Sequence, residues 1–285
     1  MPSAEHRLGL RTLYIIPSRF GMVWLAAAAL LLLVAIQTGS NSTLLIAFLL
    51  LGLMLLAMFL THDNLQGITL RCGEPSPGFA AEPMSYPLRL ISPTPRQRLQ
   101  LRFQGQAPQT LEQLSAGETG IGLSWTSGSR GWQRPPRLLL DSVAPLGLFI
   151  CWARWQPPLP QLVWPARRRG PVQDQTPPRQ QEGLNEWRDL RPHRPGERQA
   201  LVDWAGAAKG RPLQVKLFQD PGDAERLLAP AAGVPREAAL QHLAERIWQL
   251  HHRGERYGLC VSGRTVAPAT GLRHRDACLA LLALA

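Results

Sequence analysis

The chain has 285 residues, and its 31 lysines and arginines against 20 acidic residues give a formal net charge of +11. This charge is spread along the sequence, which favours attraction to anionic lipid headgroups or an acidic partner. No zinc-finger spacing, helix-turn-helix pattern or aromatic RNA-binding motif is present, so the sequence argues against a nucleic-acid partner. The four cysteines are widely spaced without a Cys-x-x-Cys pair, which predicts neither a zinc site nor a disulfide framework.

Two apolar runs dominate the N-terminal region. Phe20–Ile36 has 17 residues and Thr43–Leu60 has 18, and neither run contains a charged side chain. As helices they would each be about 26 Å long, close to the hydrocarbon thickness of a bilayer. The short polar segment between them contains turn-forming residues such as Gly39 and Asn41. The sequence therefore predicts a transmembrane hairpin over residues 20–60.

The charges around this hairpin predict its orientation. Arg7, Arg11 and Arg19 precede the first run, whereas the turn carries no charge. Because short cytoplasmic segments are enriched in arginine and lysine, we expect the N-terminal segment 1–19 and everything after the hairpin to lie in the cytoplasm. The predicted location is a bacterial inner membrane. A cleaved signal peptide is the alternative, and it fits less well because a second apolar run follows at once.

Residues 61–165 have the pattern of a small β-sandwich. Short alternating segments are separated by clusters of proline, glycine and serine, and none of them shows helical periodicity. The clearest segments begin at Leu88, Leu99, Ile121 and Arg137. The apolar stretch from Pro145 onward is broken by Arg154 and several prolines, so it is interpreted as the last strands rather than a third membrane span.

The C-terminal part alternates strand and helix patterns. Residues 166–182 are rich in arginine, glutamine, proline and glycine and are predicted to be a mobile linker. Residues 183–285 contain predicted elements that favour an open α/β domain with crossover connections. These elements are a strand at Leu213–Phe218, an amphipathic helix at Arg236–Arg253, a strand at Tyr257–Val261 and a helix at Asp276–Ala285.

Charged and aromatic residues are densest between Trp187 and Phe218. Basic and acidic side chains alternate there, and prolines and a glycine shape a turn. Two interpretations stay open: an internal ion-pair network that orders the entry to the α/β domain, or a surface for an acidic or phosphorylated partner. The candidate residues for either role are Arg191, Arg194, Gly196, Glu197, Arg198, Asp203, Trp204 and Lys209.

The order Leu-Arg-Pro-x-x-Pro-Gly-acid in this segment, followed by Asp203 and Trp204, resembles the signature of the membrane proteins grouped as domain of unknown function 58. The resemblance extends along the chain through short motifs in the same order. These are Ser18-Arg-Phe-Gly, Asp63-Asn-Leu, Ser129-Arg-Gly-Trp, Pro145-Leu-Gly-Leu-Phe, Val163-Trp-Pro and Tyr257-Gly-Leu. The chain departs from the pattern at Glu197, His193 and Lys209, where the family has aspartate, another aromatic residue and arginine. Lysine does not reproduce a bidentate guanidinium.

The resemblance implies a partner and a degenerate domain. Such proteins often accompany MoxR-type AAA+ ATPases, so a MoxR-like ATPase is the implied protein partner. In longer relatives the C-terminal region resembles a von Willebrand factor A domain, whose metal site is built on Asp-x-Ser-x-Ser. The corresponding segment here, Asp220-Pro-Gly-Asp-Ala, lacks both hydroxyls. We therefore expect a truncated A-like α/β domain without a metal.

Enzyme motifs are missing from the sequence. It contains no glycine-rich nucleotide motif, His-Glu-x-x-His or nucleophile elbow. Glu182 and Glu186 border the linker and are interpreted as solvated charges. The resulting expectation is a membrane-anchored cytoplasmic scaffold or adaptor, without a cofactor, in a protein-maturation or envelope system. The alternative is an enzyme with a polar site around Arg191, Glu197 and Asp203.

Overall fold

The computed structural model describes residues 5–174, 190–192, 208–210, 214–216 and 226–285, with only the backbone for 190–192 and 214–216. The chain divides into two compact units. The N-terminal unit is Met1–Ala166 and contains two long helices and a β-sandwich. The C-terminal unit is Arg167–Ala283, and its described residues include strands and two further helices.

The two predicted membrane runs are helices α1, Arg19–Thr38, and α2, Asn41–Asp63. Gly39 closes α1 in the left-handed region with φ +62°, where a side chain would be strained, and its N–H bonds the Ala35 carbonyl. Ser40 then caps α2 by accepting a hydrogen bond from the Thr43 N–H at 3.3 Å. Two residues thus connect two long helices.

Helices α1 and α2 pack on each other through small residues and expose large ones. Ala28, Ala35, Ala47 and Ala57 are buried, and the Trp24 indole N–H donates to the Leu50 carbonyl at 3.2 Å. Small side chains let two helix backbones approach closely. Only 17% of each apolar window is buried, and both helices are long and apolar enough to cross a membrane. Water would solvate such an exposed surface poorly.

The strands of the N-terminal unit form two main sheets around one core. In chain order they are β1 Glu5–Arg7, β2 Leu13–Pro17, β3 Thr69–Cys72, β4 Gly78–Phe79, β5 Met84–Ser92, β6 Arg96–Phe103, β7 Gln109–Leu114, β8 Gly117–Trp125, β9 Gly131–Gln133, β10 Leu138–Ser142, β11 Phe149–Trp155 and β12 Gln161–Trp164. One sheet has the order β1-β3-β5-β8 and the other β2-β11-β10-β6-β7, both antiparallel. A smaller sheet pairs β4, β12 and β9.

Aromatic side chains pack in the sandwich core, and two of them also form hydrogen bonds there. Phe103 meets Tyr86 and Trp125 edge to face, with ring centroids 5.8 and 6.5 Å apart. The Tyr86 hydroxyl donates to the Leu159 carbonyl at 2.8 Å, and the Trp125 indole N–H donates to the Gln161 side-chain oxygen at 2.6 Å. The buried polar atoms therefore keep their hydrogen bonds inside the core.

Strands β1 and β2 correct the predicted role of the N-terminal segment. Residues 1–19 were expected to be a cytoplasmic segment outside the sandwich, yet β1 pairs with β3 and β2 pairs with β11. The sandwich therefore begins before α1 and resumes after α2, and the helical pair is an insertion within it. The run Leu13-Tyr-Ile-Ile-Pro17 has strand-like composition, but its partner lies more than a hundred residues away.

The described part of the C-terminal unit includes a βαβ crossover. The described residues form strands β13 Val172–Asp174, β14 Leu190–Pro192, β15 Gln214–Lys216, β16 Arg226–Pro230, β17 Tyr257–Val261 and β18 Arg264–Ala269, and helices α3 Arg236–His252 and α4 Leu272–Leu284. Strand β16, helix α3 and parallel strand β17 form the crossover. Strands β13 and β18 flank this pair antiparallel, and β14 pairs with β15 separately.

Several predicted elements of this unit need correction. Strand β13 lies inside the predicted linker 166–182 and pairs with β16, since three residues among prolines and arginines are too few to show an alternating pattern. Strands β16 and β18 were not predicted. Helix α4 begins at Leu272 rather than Asp276 because Gly271, with φ +99°, redirects the chain just before it. Helix α3 and strand β17 match their predicted positions.

Candidate functional site

Most residues of the predicted signature lie outside the described part of the chain. This holds for Arg194, Gly196, Glu197, Arg198, Asp203 and Trp204. Arg191 lies in β14, whose backbone pairs it with Val215 of β15. Lys209 lies in a turn and is exposed. The Leu-Arg-Pro segment and the Val-Lys segment of the signature are therefore adjacent strands.

The residues behind the expected loss of a metal site also lie outside the described part of the chain. Asp220 and Asp223, on which the expected loss of the A-type metal site depends, lie outside the described residues. Within the described ranges, no group of three or more histidine, cysteine, aspartate or glutamate side chains could hold a metal ion. The expected lack of a metal stays a prediction.

The start of α1 is bound to the turn between β10 and β11, residues 143–148. The Ser18 hydroxyl caps α1 by accepting from the Gly21 N–H at 2.9 Å, and it donates to the Gly147 carbonyl at 2.6 Å. The Ser18 N–H donates to the Leu148 carbonyl at 2.9 Å. A Cβ on Gly21 would lie 1.9 Å from that carbonyl oxygen. Only glycine at position 21 lets helix and turn approach this closely.

The end of α2 is bound to the same turn and to strand β6. The Asn64 side-chain amide donates to the Gln97 carbonyl and the Ser142 hydroxyl, both at 2.9 Å, and its oxygen accepts from the Gln97 N–H at 3.1 Å. The Ser142 hydroxyl in turn accepts from the Ala144 N–H at 3.2 Å. One asparagine therefore connects the helix end to β6, β10 and the β10–β11 turn.

Arg96 is buried beneath the end of α2. Its side chain is only 7% exposed, and its guanidinium donates to the Asp63 carbonyl, to the Gln66 carbonyl at 2.9 Å and to the Asp63 carboxylate at 3.1 Å. The last carbonyls of a helix lack partners within the helix and carry its negative dipole end. Arg96 supplies both the missing donors and the complementary charge.

An apolar contact completes this junction. Met54 and Ala57 of α2 cluster with Leu148 and Phe149, and Ile15 of β2 packs against them. We call these contacts, together with those of Ser18, Gly21, Asn64 and Arg96, the helix–sandwich junction. The start of α1 and the end of α2 are thereby attached to the sandwich by hydrogen bonds, charge and packing.

The C-terminal unit has a surface cleft of about 340 Å³ beside α3. Arg169, Asp174, His242, Glu245 and Arg246 line it. Arg169 lies 3.9 Å from the Glu245 carboxylate, and the His242 ring packs against the backbone of Gly170. Opposite charges face each other across the cleft, which leaves no single sign of charge to select a ligand. Strand β13, which forms one wall, ends at Asp174, beside residues that are not described.

Cys278 and His274 form a close cysteine–histidine pair, which sequence reasoning missed. Their Sγ and Nε2 atoms are 3.6 Å apart, one turn apart on α4. The same Nε2 lies 2.7 Å from the Tyr257 carbonyl, so it must donate there and has no lone pair for the thiol proton. Burial raises the pKa of Cys278 to about 12. This pair is a packing contact, because an activated nucleophile needs an accessible thiolate.

A scan against known protein-family models, a search of curated proteins and a search of solved structures each return no match. The resemblance to domain of unknown function 58 therefore stays a prediction from the motifs. The same holds for the A-type assignment of the α/β domain.

Replacing Arg96 by alanine should destabilise the protein in detergent by about 2–3 kcal/mol, because the carbonyls at the end of α2 lose the charged donor that is buried beneath them. Arg89→Ala is the matched control. Arg89 also pairs with a carboxylate, that of Glu118, but both side chains are about half exposed, and such pairs contribute less than about 1 kcal/mol. Thermal unfolding followed by circular dichroism measures both variants. Equal shifts would show that the junction does not depend on Arg96.

Alkylation with iodoacetamide at pH 8 should modify Cys260 in the folded protein and leave the other three cysteines intact. Cys260 is partly exposed, whereas Cys72, Cys151 and Cys278 are buried. Burial raises the pKa of Cys151 to about 11 and that of Cys278 to about 12, so the ionised fraction of Cys278 at pH 8 is about 10⁻⁴. Peptide mass spectrometry before and after unfolding measures the sites. Rapid modification of Cys278 in the folded protein would indicate an activated thiol and an enzyme.

Proposed function

We propose that this protein is a membrane-anchored scaffold that holds its β-sandwich and α/β unit at a bacterial inner membrane. The observation that carries the proposal is the helix–sandwich junction beneath two helices with exposed apolar surfaces. A flexible tether would need no buried arginine or glycine contact at its base. A fixed connection suits a protein that presents a binding surface at a set distance from the bilayer.

The proposed topology places the helix turn in the periplasm and the remainder in the cytoplasm. Two independent observations support it. Strands β2 and β3 flank the helical pair and belong to one sandwich, so both ends of the pair lie on the same side. Arg11 and Arg19 lie before α1, while Gly39 and Ser40 form an uncharged turn.

The proposed partner is a MoxR-like AAA+ ATPase, and the proposed process is maturation of other proteins or of the envelope. Support comes from the motif resemblance and from exposed basic residues, among them Lys209 in the signature segment. Recognition through such residues would respond to salt rather than to chelators. For the alternative enzyme, Glu197 and Asp203 lie outside the described residues, and no contact in the described part of the chain favours a catalytic site.

The topology predicts which cysteine reacts with a membrane-impermeant maleimide in intact spheroplasts. In a Cys260→Ser background, Gln37→Cys at the end of α1 should be labelled without permeabilisation. Gln104→Cys, in the turn after β6, should be labelled only after permeabilisation. Both positions are exposed, so their difference reports the side of the membrane. Labelling of Gln104→Cys in intact spheroplasts would place the sandwich in the periplasm and remove a cytoplasmic ATPase as partner.

Cross-linking in native membranes followed by mass spectrometry should recover an AAA+ ATPase with the wild-type chain. Recovery should fall in Lys209→Glu, because reversal of an exposed basic charge opposes an acidic partner surface. Arg89→Glu, an equally exposed reversal in the sandwich, is the control and should leave recovery unchanged. If no ATPase is enriched over an unrelated membrane protein, or if both reversals act alike, the proposed partner or its proposed surface is wrong.

A further inference from the structure

The outer face of strands β2 and β11 has a row of exposed apolar and aromatic side chains. Leu13 and Ala153 point into the core, so Tyr14, Ile16 and Trp152 lie on the other face, where Tyr14 is 53% and Ile16 51% exposed. This face leads directly to α1, whose N-cap Ser18 follows Ile16 by two residues. A soluble surface does not usually present such a continuous apolar strip.

The β10–β11 turn lies beside the N-cap of α1. Gly147 and Leu148 bind the N-cap of α1, and Ser142 and Ala144 lie beside the end of α2. Leu146 projects from this turn and is 41% exposed. The turn therefore lies where both helices leave the sandwich. If the helices enter a bilayer, this turn faces its surface.

Polarity along the face changes in one direction. Phe20 on the first turn of α1, Ile16 two residues before the N-cap, and Leu146 in the turn that binds the N-cap are purely apolar. Four residues from the N-cap, Tyr14 stacks on Trp152 with ring centroids 4.6 Å apart. Arg154, two residues farther along β11, places its guanidinium 4.6 Å from the centre of the Trp152 ring. The order from the helix outward is aliphatic, then aromatic with polar atoms, then cationic.

This order follows the profile of a membrane leaflet, which is hydrocarbon inside, an interface favoured by tyrosine and tryptophan, and phosphate outside. The interface is roughly 5–8 Å thick on each side of the hydrocarbon. Two extended residues span at most about 7 Å, so Ile16 lies within that layer. Tyr14 is at most about 14 Å from the N-cap along the strand, so it also reaches this layer where the strand is inclined to the membrane normal, and the long side chain of Arg154 can reach back to phosphate.

We propose that this surface, defined by Tyr14, Ile16, Leu146, Trp152 and Arg154 and named the interfacial patch, rests in the headgroup layer of the phospholipid bilayer. The inference depends on the proposed membrane anchor and goes beyond it, since a helical anchor alone does not set the tilt of the sandwich. Three contacts then fix that unit: α1, α2 and the patch. A bilayer is the occupant rather than a protein because the patch is continuous with the exposed apolar surface of α1.

The test uses the full chain in phosphatidylcholine–phosphatidylglycerol nanodiscs, with nitroxide labels on single cysteines in a Cys260→Ser background. Power-saturation spectroscopy compares collisions with oxygen, which concentrates in lipid, and with a water-soluble nickel chelate. Labels at Ile16→Cys and Leu146→Cys should show an oxygen-to-nickel ratio several-fold above that of Gln104→Cys. Gln104 is exposed and lies seven residues along β6 from Gln97, which binds the end of α2, a separation of about 23 Å.

A label at Leu33→Cys, on an exposed position of α1, separates the two proposals. If Leu33→Cys shows aqueous values, the membrane anchor itself is wrong. If it shows hydrocarbon values while Ile16→Cys and Leu146→Cys match Gln104→Cys, the anchor stands and the interfacial patch is overturned. Dipolar broadening between patch labels of two chains would assign the surface to a second copy of the protein and also overturn the lipid assignment.

Discussion

The contact between the first turn of α1 and the carbonyls of Gly147 and Leu148 is the constraint on which the N-terminal unit depends. It requires a helix start without a side chain at Gly21 and a hydroxyl at Ser18 that donates and accepts at once. Because the end of α2 is bound through Asn64 to Ser142, the residue just before the β10–β11 turn, a shift of either helix would have to break hydrogen bonds to the sandwich. The helices and the sandwich are consequently one body.

The order in which the chain forms the strands and helices of this unit differs from the domain boundaries predicted from the sequence. The sandwich starts with β1 and β2, leaves through α1 and α2, and continues with β3. A soluble fragment that begins after α2 would therefore lack two strands, and strand β11 would become an unpaired sheet edge with Ile15 missing from its packing. The helical pair is an insertion between strands β2 and β3 of a β-domain and does not precede that domain.

The sequence predicted those elements whose evidence is local. Uninterrupted apolar runs identify α1 and α2, alternation identifies β5, β6 and β8, and spacing on one helical face identifies α3. The junction could not be predicted in this way, because Arg96 is one of many arginines in the sequence and only its burial against Asp63 and Gln66 distinguishes it. Strands β2 and β16 were missed because their partners are distant in sequence. The signature residues around Asp203 were proposed from the order of motifs in the sequence, and that order does not predict where their side chains lie.

The two units differ in how their charges are used. In the N-terminal unit, the Arg96 guanidinium donates to backbone carbonyls, and the Arg154 guanidinium lies over the Trp152 ring. In the C-terminal unit, the basic residues beside α3 face acids such as Glu245. The net charge of +11 therefore says little about ligand choice until the structural arginines are set aside. Among the described residues, Arg154 of the interfacial patch and exposed positions such as Lys209 are available to an external anion.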